Sequence, residues 1–468
     1  MRKTKIVCTV GPASGAPRIL RRLVPHVDVF RINFSHGDRA SHIQEVETIR
    51  RESKRGGKTV AILQDLPGPK IRVGRIAGGA VELPTGSSVV LTSSDVDGTA
   101  TRIPVGNPDL LSSVGRGDAL YLADGIIRLR VEGEVVKGVR CTVLAGGVLS
   151  SGKGVNAPGV KLKIEYPTEK DVEHLRLGVR LGVDYVAMSF VRTPADVRAV
   201  RRLVPPDGPK LIAKIEKKEA VHNFQGVLDE SDGAMVARGD LGIEVPIETV
   251  PAIQKDIIGR CNSAGKPVIV ATQMLLSMVN SPVPTRAEVT DVSTAILDGT
   301  DAVMLSEETT VGKYPVEAVR MLDRIARSTE SSLRSYARAP AETETRDTAS
   351  AIARAACRLA DYVMAKAIVA PTETGATARR VSMYRPQHPI VAICTEGRVA
   401  RELKLYRGVV PLISKKAKTI DWLFERADAA AQQLGLAKKG DRIVVTSGTP
   451  GMKGTTNLIK VSVVGSRA

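Results

Sequence analysis

The sequence predicts an α/β protein: a (β/α)8 TIM barrel with an inserted all-β lid domain and a C-terminal open α/β domain. Three observations predict it. Eight short apolar, β-branched runs each end in polar residues and lead into helix-like text. The alternation lapses once, between the third and fourth runs, where residues 73–162 are strand-like, turn-rich and punctuated by glycine. After a polar linker, Pro340–Arg346, a separate set of strand-like and helical runs follows. Continuous apolar runs alternating with helical patterns argue for parallel strands covered on both faces. Eight such units close into a barrel, whose chemistry sits at the C-terminal strand ends.

The eight runs are Lys5–Val10, Val27–Asn33, Thr59–Asp65, Tyr185–Phe190, Leu211–Ile215, Gly233–Arg238, Pro267–Thr272 and Ala302–Ser306. A helical stretch over 311–338 closes the barrel. Within the insertion, Ser88–Ser93, Leu120–Gly125, Ile127–Val131 and Arg140–Leu144 read as strands, with no long amphipathic helix among them. An all-β, barrel-like domain grafted into a barrel loop accounts for this. The third region starts with an alanine-rich helix, Thr348–Met364. Five strands follow: Ala367–Pro371, Ile390–Cys394, Val409–Ile413, Arg442–Thr446 and Ile459–Val464. The expected partition is 1–70 and 164–338 for the barrel, 71–163 for the insertion and 346–468 for the C-terminal domain.

A chain of 468 residues suits two to four domains on a prior of roughly 100–200 residues each. No apolar run approaches the length of a membrane span, and the basic N-terminus leads into too short an apolar core for a signal peptide. A cytoplasmic protein is expected. Cys8, Cys141, Cys261, Cys357 and Cys394 are widely spaced and read as buried free thiols. The net charge of +18 fits nucleic acid, anionic small substrates or merely a basic solvated surface. An aromatic share of 3% leaves few stacking platforms, so neither nucleic acid nor a membrane is the expected partner.

The strand ends bring together Arg31 and Asn33, Asp65, Ser189, Lys214 and Glu216, Arg238 and Asp240, Thr272 and Gln273, and Ser306 and Glu307. Buried charge is costly unless paired with other charges, a metal or a ligand. Glu216 and Asp240 come from adjacent strands, and Mg²⁺ typically takes one or two carboxylates plus water and substrate oxygens. Lys214 and Arg31 supply positive charge suited to a phosphoryl group. Singly, Lys214–Glu216 reads equally as a structural ion pair and Arg238–Asp240 as a solvated turn; their placement on consecutive strand ends favours a site.

The chain resembles the pyruvate kinases over nearly its whole length. The resemblance is carried by Thr4–Ser14, Arg31–Gly37, Gly152–Gly159, Ala213–Glu216, Met235–Glu244, Ala271–Leu275 and Pro284–Val289, in the family's order. It implies a glycolytic transfer of phosphoryl from phosphoenolpyruvate to ADP, giving ATP and pyruvate. Lys214 then bridges the transferring group, and Glu216 and Asp240 hold Mg²⁺ or Mn²⁺. The turn Ala237, Arg238, Gly239, Asp240 faces the pyruvate carboxylate, and Ser189 lies at the substrate end. Thr272 stands near the carbon that receives a proton. Arg31, Asn33, His36 and Arg72 correspond to phosphate-side positions, and Asp124 and Lys153, in the insertion, to positions near the nucleotide. The insertion is expected to close as a lid.

Most of the family also needs K⁺, at positions matching Asn33, Ser35, Asp65 and the carbonyl of Leu66. The usual turn there is Asp-Thr-Lys-Gly-Pro-Glu-Ile-Arg; here it is Asp65-Leu-Pro-Gly-Pro-Lys-Ile-Arg72. Lys70 replaces glutamate, so a tethered ammonium stands in for the free cation, and K⁺ is not expected to be required. Further departures are Glu307 and Leu276, which leave Lys214, Glu216, Asp240 and Thr272 untouched. In the C-terminal domain, Thr372, Thr374, Gly375, Ala376 and Thr377 open a helix and suit a phosphorylated small-molecule effector, with Thr446–Gly454 closing over it; an ordinary helix cap and hairpin is the alternative. The family's usual homotetramer is expected. Two rival readings are an aldolase-like lyase using Lys214 as a Schiff base, which needs a depressed lysine pKa, and a catalytically silent nucleic-acid or scaffold protein.

Overall fold

The computed structural model describes residues 1–160, 165–332, 347–416, 419–448 and 456–466. The linker Pro340–Arg346 and the stretch Thr449–Gly454 of the expected effector loop lie outside them.

Eight parallel strands close a barrel: Lys5–Val10, Val29–Asn33, Ala61–Asp65, Tyr185–Met188, Lys210–Ile215, Gly233–Ala237, Val268–Ala271 and Ala302–Leu305. They follow one another around the ring in chain order, and the last pairs with the first, Lys5 opposite Ala302. Both faces of each strand are buried. Ile6, Cys8 and Val10 point to the helical shell, whereas Val7, Val29, Leu63, Ile212, Met235 and Met304 fill the interior. This two-sided burial is why the strands read as unbroken apolar runs. The closing helix is Pro315–Ser332.

The insertion has its own apolar core, built on Leu91, Leu120, Leu129, Cys141 and their neighbours. Its pairing divides into a six-stranded sheet and a two-stranded ribbon, Ala80–Leu83 with Gly147–Ser150, where one continuous barrel was expected. Register shifts at Arg128/Leu129 and Val131/Gly133 bend the longest strand, Ile127–Val135, as bulges do. A short helix, Pro108–Ser113, interrupts the strands because Asn107 caps it and Pro108 starts its first turn.

The C-terminal domain is a five-stranded sheet ordered Val409–Ile413, Ile390–Cys394, Ile368–Thr372, Arg442–Ser447 and Leu458–Val463, with only the last antiparallel. It seals the N-terminal end of the barrel. Leu405 joins the barrel's interior cluster, and the Tyr185 hydroxyl donates to the Glu402 carbonyl. Asp28 accepts ion pairs from Arg2 at 2.8 Å and Lys404 at 3.0 Å, and Asp301 pairs with Arg385 at 2.6 Å. With that end closed, the opposite end is left for chemistry.

All five cysteines are free and buried, and burial pushes each thiol up, Cys8 to about 12. No helix among the described residues is long and apolar enough to cross a membrane.

Candidate active site

At the C-terminal strand ends, polar side chains form one hydrogen-bonded chain across the ring. Arg31 donates through Nε to Asp65 Oδ2 at 2.6 Å and through Nη1 to Thr9 at 3.0 Å. Lys214 Nζ reaches Asp65 Oδ1 at 3.2 Å, Ser189 Oγ at 2.6 Å and Glu216 Oε1 at 2.8 Å. Ser189 in turn donates to the Leu66 carbonyl at 2.7 Å. The strand register sets this up: Asn33 lies beside Asp65, Asp65 beside Ala187, and Lys214 beside Met235.

The backbone is bent to serve these contacts. Phe190 adopts φ 58°, which turns its amide onto Glu216 Oε2 at 2.7 Å. Gly68 has φ 65°, and a β-carbon there would lie 2.9 Å from the Ser189 carbonyl, so the turn needs glycine. Its amide is held by Asp171 at 2.9 Å. Thr272 and Gln273 are also left-handed, at φ 69° and 55°. Non-glycine residues in that region are strained and persist only where the surroundings over-determine them. Thr272 Oγ1 accepts from the Gly239 amide at 2.8 Å and donates to the Ala271 carbonyl at 2.6 Å. Arg238 braces the same bend, donating to the Thr272 carbonyl at 2.8 Å and pairing with Asp291 at 2.7 Å.

Electrostatics set the protonation states. Burial alone would lower the Lys214 pKa, but Asp65 and Glu216 outweigh it and hold the ammonium above its usual range. A Schiff-base lysine needs the reverse shift, so the lyase reading fails here. Burial would raise Asp65, yet Arg31 and Lys214 keep it below the usual carboxylate range. Glu216 is raised by burial and by the charge of Asp240, with Lys214 opposing. Glu216 follows strand Lys210–Ile215 and Asp240 follows its neighbour Gly233–Ala237, so the two carboxylates leave adjacent strand ends. Two hard oxygen ligands of this kind fit Mg²⁺ or Mn²⁺. Among the described residues no three His, Cys, Asp or Glu side chains converge, so water and substrate oxygens would complete the octahedron.

Lys70 is on this face. Its ammonium pairs with Asp240 Oδ1 at 3.2 Å and stands 5.9 Å from the centre of the Phe190 ring. Its ion-pair partner is therefore Asp240, not Asp65. Three of the four oxygens expected to hold K⁺ have protein donors already: Asn33 Oδ1 accepts the Ser35 amide at 3.1 Å, and Asp65 and Leu66 O are engaged as above. Arg72 and Lys153 sit where the insertion joins the barrel, with Arg72 donating to the Gly152 carbonyl at 2.9 Å and the Lys153 carbonyl accepting the Val73 amide. Asp124 lies beside Gly154, and the His36 amide closes a turn onto the Asn33 carbonyl at 3.4 Å. None of these four side chains hydrogen-bonds to the Lys214 cluster.

Several contributors lie outside the residues that the sequence singles out. Thr9 orients Arg31, the Phe190 amide holds Glu216, and Asp171 fixes the Gly68 turn. Glu308 is buried and accepts the Leu275 amide at 3.0 Å and the Ser306 amide at 2.7 Å, supporting the loop after Thr272. In the C-terminal domain, Thr372 ends its strand, Gly375 caps helix Ala376–Met383 with φ 83°, and Thr377 shares a hydrogen bond with Thr456 at 2.9 Å. Thr374 is exposed on that loop. The hydroxyls of Thr446 and Ser447 are buried nearby and have no hydrogen-bond partner among the described residues.

Comparison with known proteins agrees with this geometry. The profile described as pyruvate kinase, barrel domain, matches residues 1–319, and that described as pyruvate kinase, alpha/beta domain, matches residues 350–462. The chain belongs to the pyruvate kinase family. It is 45% identical to a pyruvate kinase of Staphylococcus saprophyticus over 478 residues, covering 99% of this chain and 81% of the relative. It is 46% identical to a pyruvate kinase of Geobacillus stearothermophilus, covering 99% and 80%. A Synechocystis protein named pyruvate kinase 2 is 46% identical, covering 99% and 79%. This pyruvate kinase family member is thus an enzyme, a phosphotransferase, and the silent-scaffold reading falls.

Proposed function

We propose that the strand-end cluster moves the phosphoryl group of phosphoenolpyruvate to ADP in the cytoplasm, without a requirement for K⁺. The observation that carries this reading is Lys214, a buried ammonium fixed by Asp65, Ser189 and Glu216 beside a second carboxylate, Asp240. The bond from phosphorus to the enol oxygen breaks, one to the terminal oxygen of ADP forms, and the released enolate takes a proton at its methylene carbon. Lys214 and Arg31 stand where the equatorial phosphoryl oxygens carry charge, which is the main contribution a protein makes to such a transfer. Glu216 and Asp240 would hold a divalent ion, which would supply Lewis-acid neutralisation of phosphoryl charge. Ser189 and the Ala237–Asp240 turn orient the substrate. Thr272, fixed between the Gly239 amide and the Ala271 carbonyl, stands at the proton-delivery side through a water relay.

Lys70 supports the K⁺-independent reading in two ways. It brings a resident positive charge to the face, and the Asn33, Asp65 and Leu66 oxygens that would receive K⁺ already have donors. Arg72, Asp124 and Lys153 mark the insertion as the nucleotide-side lid. In the C-terminal domain the Thr372–Thr377 loop, with the Thr446 and Ser447 hydroxyls, which have no partner among the described residues, behind it, supports a site for a phosphorylated effector, read out through a homotetramer.

The test is pyruvate formation from phosphoenolpyruvate and ADP with Mg²⁺, in buffer free of sodium and potassium, and then with K⁺ added at constant ionic strength. The full rate without K⁺ supports the whole reading. Activity only with K⁺ keeps the reaction and rejects the role of Lys70. No activity under either condition overturns the assignment.

A further inference from the structure

Each of the two carboxylates proposed for the divalent ion already has its own lysine, but the two lysines are held very differently. Lys214 has three partners and a side chain 11% exposed. Lys70 has one carboxylate partner, Asp240 at 3.2 Å, and a side chain 25% exposed. Its aliphatic end runs beside Gly154 of the insertion, where a β-carbon would lie 3.2 Å from Cε.

The ion-paired side chains of this strand-end cluster balance in charge. Arg31, Lys70 and Lys214 stand against Asp65, Glu216 and Asp240, and Arg238 is matched by Asp291. A divalent ion added to a neutral, half-buried cluster leaves two positive charges uncompensated unless a cation leaves or an anion arrives. Lys214 and Arg31 are locked by several hydrogen bonds each; Lys70 is held by one ion pair.

We propose that Lys70 is an exchangeable counterion of Asp240. In the metal-free enzyme its ammonium occupies the carboxylate oxygen, and a divalent ion binds by displacing it. The exchange makes divalent binding weak until an anionic substrate restores the balance, and it sets free an ammonium at the junction with the insertion. The inference rests on the reading of Glu216 and Asp240 as the metal carboxylates. It is independent of whether Lys70 also replaces K⁺.

The experiment is Mn²⁺ binding to the substrate-free enzyme, followed by electron paramagnetic resonance of free Mn²⁺. Lys70→Met should bind Mn²⁺ about tenfold tighter or more, because it removes a unit charge that both repels the ion and occupies its ligand. Lys70→Arg, which keeps the charge, should stay close to the wild type. Equal affinity in Lys70→Met and the wild type overturns the exchange, whatever the K⁺ dependence of the variant. Tight Mn²⁺ binding that survives Glu216→Gln in the Lys70→Met background lies elsewhere and overturns the metal reading itself. The wild-type protein gives a second readout that needs no variant. Reductive methylation of Lys70, quantified by mass spectrometry, should quicken severalfold when Mn²⁺ is added at constant ionic strength, and an unchanged rate refutes displacement.

Discussion

Replacing Lys214 by Met removes the ammonium from between two buried carboxylates while keeping the length of the side chain. Breaking a buried pair by removing one partner costs about 3–5 kcal/mol, because it strands the other charge. Two features decide where in that range the variant falls. Asp65 keeps Arg31 at 2.6 Å, so its charge remains compensated. Glu216 keeps only the Phe190 amide, at 2.7 Å, and its pKa is already raised by burial and Asp240. Without Lys214 it rises further, and the group takes a proton more readily in the folded than in the unfolded chain. A carboxyl raised on folding binds the extra proton between its unfolded and folded pKa values, so the penalty is absent below that window and complete above it. Each unit of further rise is worth about 1.4 kcal/mol above both values. The loss relative to wild type should therefore be about 3 kcal/mol at pH 8 and distinctly smaller at pH 5. The assay is urea unfolding at the two pH values, compared as midpoints because a three-domain chain is not two-state. In parallel, kcat should fall by about 10³ or more, as for loss of a charge-stabilising donor. A variant with turnover within tenfold of wild type, or with a stability deficit that does not grow with pH, refutes the reasoning.

Three further outcomes are expected. Lys70→Glu reverses the charge facing Asp240, replacing an attraction of about 1–4 kcal/mol by a repulsion of similar size; turnover should then depend on added K⁺, and an equally active, K⁺-indifferent variant would sink the surrogate role. Lys5 is buried beneath the barrel, where burial, partly offset by Asp28, lowers its pKa from 10.5 to about 7. The folded chain thus releases that proton before the unfolded chain does, and stability should rise from about pH 7 towards pH 10 by up to about 1.4 kcal/mol per unit, a slope that Lys5→Met should lose in thermal melts across that range. Gly68→Ala should cost about 1–3 kcal/mol through its left-handed φ and the approach to the Ser189 carbonyl, and should lower kcat by displacing Ser189 and Lys70 together; wild-type kinetics would show that the turn adapts.

The parts of the fold legible in the sequence were those with a periodic cause. Strands buried on both faces, such as Lys210–Ile215 and Gly233–Ala237, carry a strong apolar signal, and the polar residues at their ends name the site directly. Arg31, Asp65, Ser189, Lys214 and Glu216 are found together because one barrel rim holds all of them. What stayed hidden depends on backbone conformation or on distant pairing. Nothing in the Ser189-Phe190 text signals that Phe190 turns left-handed to aim its amide at Glu216. Glu308 reads as one of two adjacent glutamates, although it is the buried acceptor for Leu275 and Ser306. The sheet division of the insertion escaped for the same reason: bulges shift register without changing residue pattern. Lys70 was legible as a charge change but not as a direction. The turn Pro67-Gly68-Pro69 carries it to Asp240, while Asp65 is held instead by Arg31 and Lys214.

The most direct test of the two-carboxylate centre is an anomalous-difference map from crystals grown with Mn²⁺ and phosphoenolpyruvate. The account predicts one strong peak bonded to carboxylate oxygens of both Glu216 and Asp240, with the Lys70 ammonium withdrawn from Asp240. A peak bonded to neither carboxylate, with the Lys70–Asp240 pair intact, would contradict it.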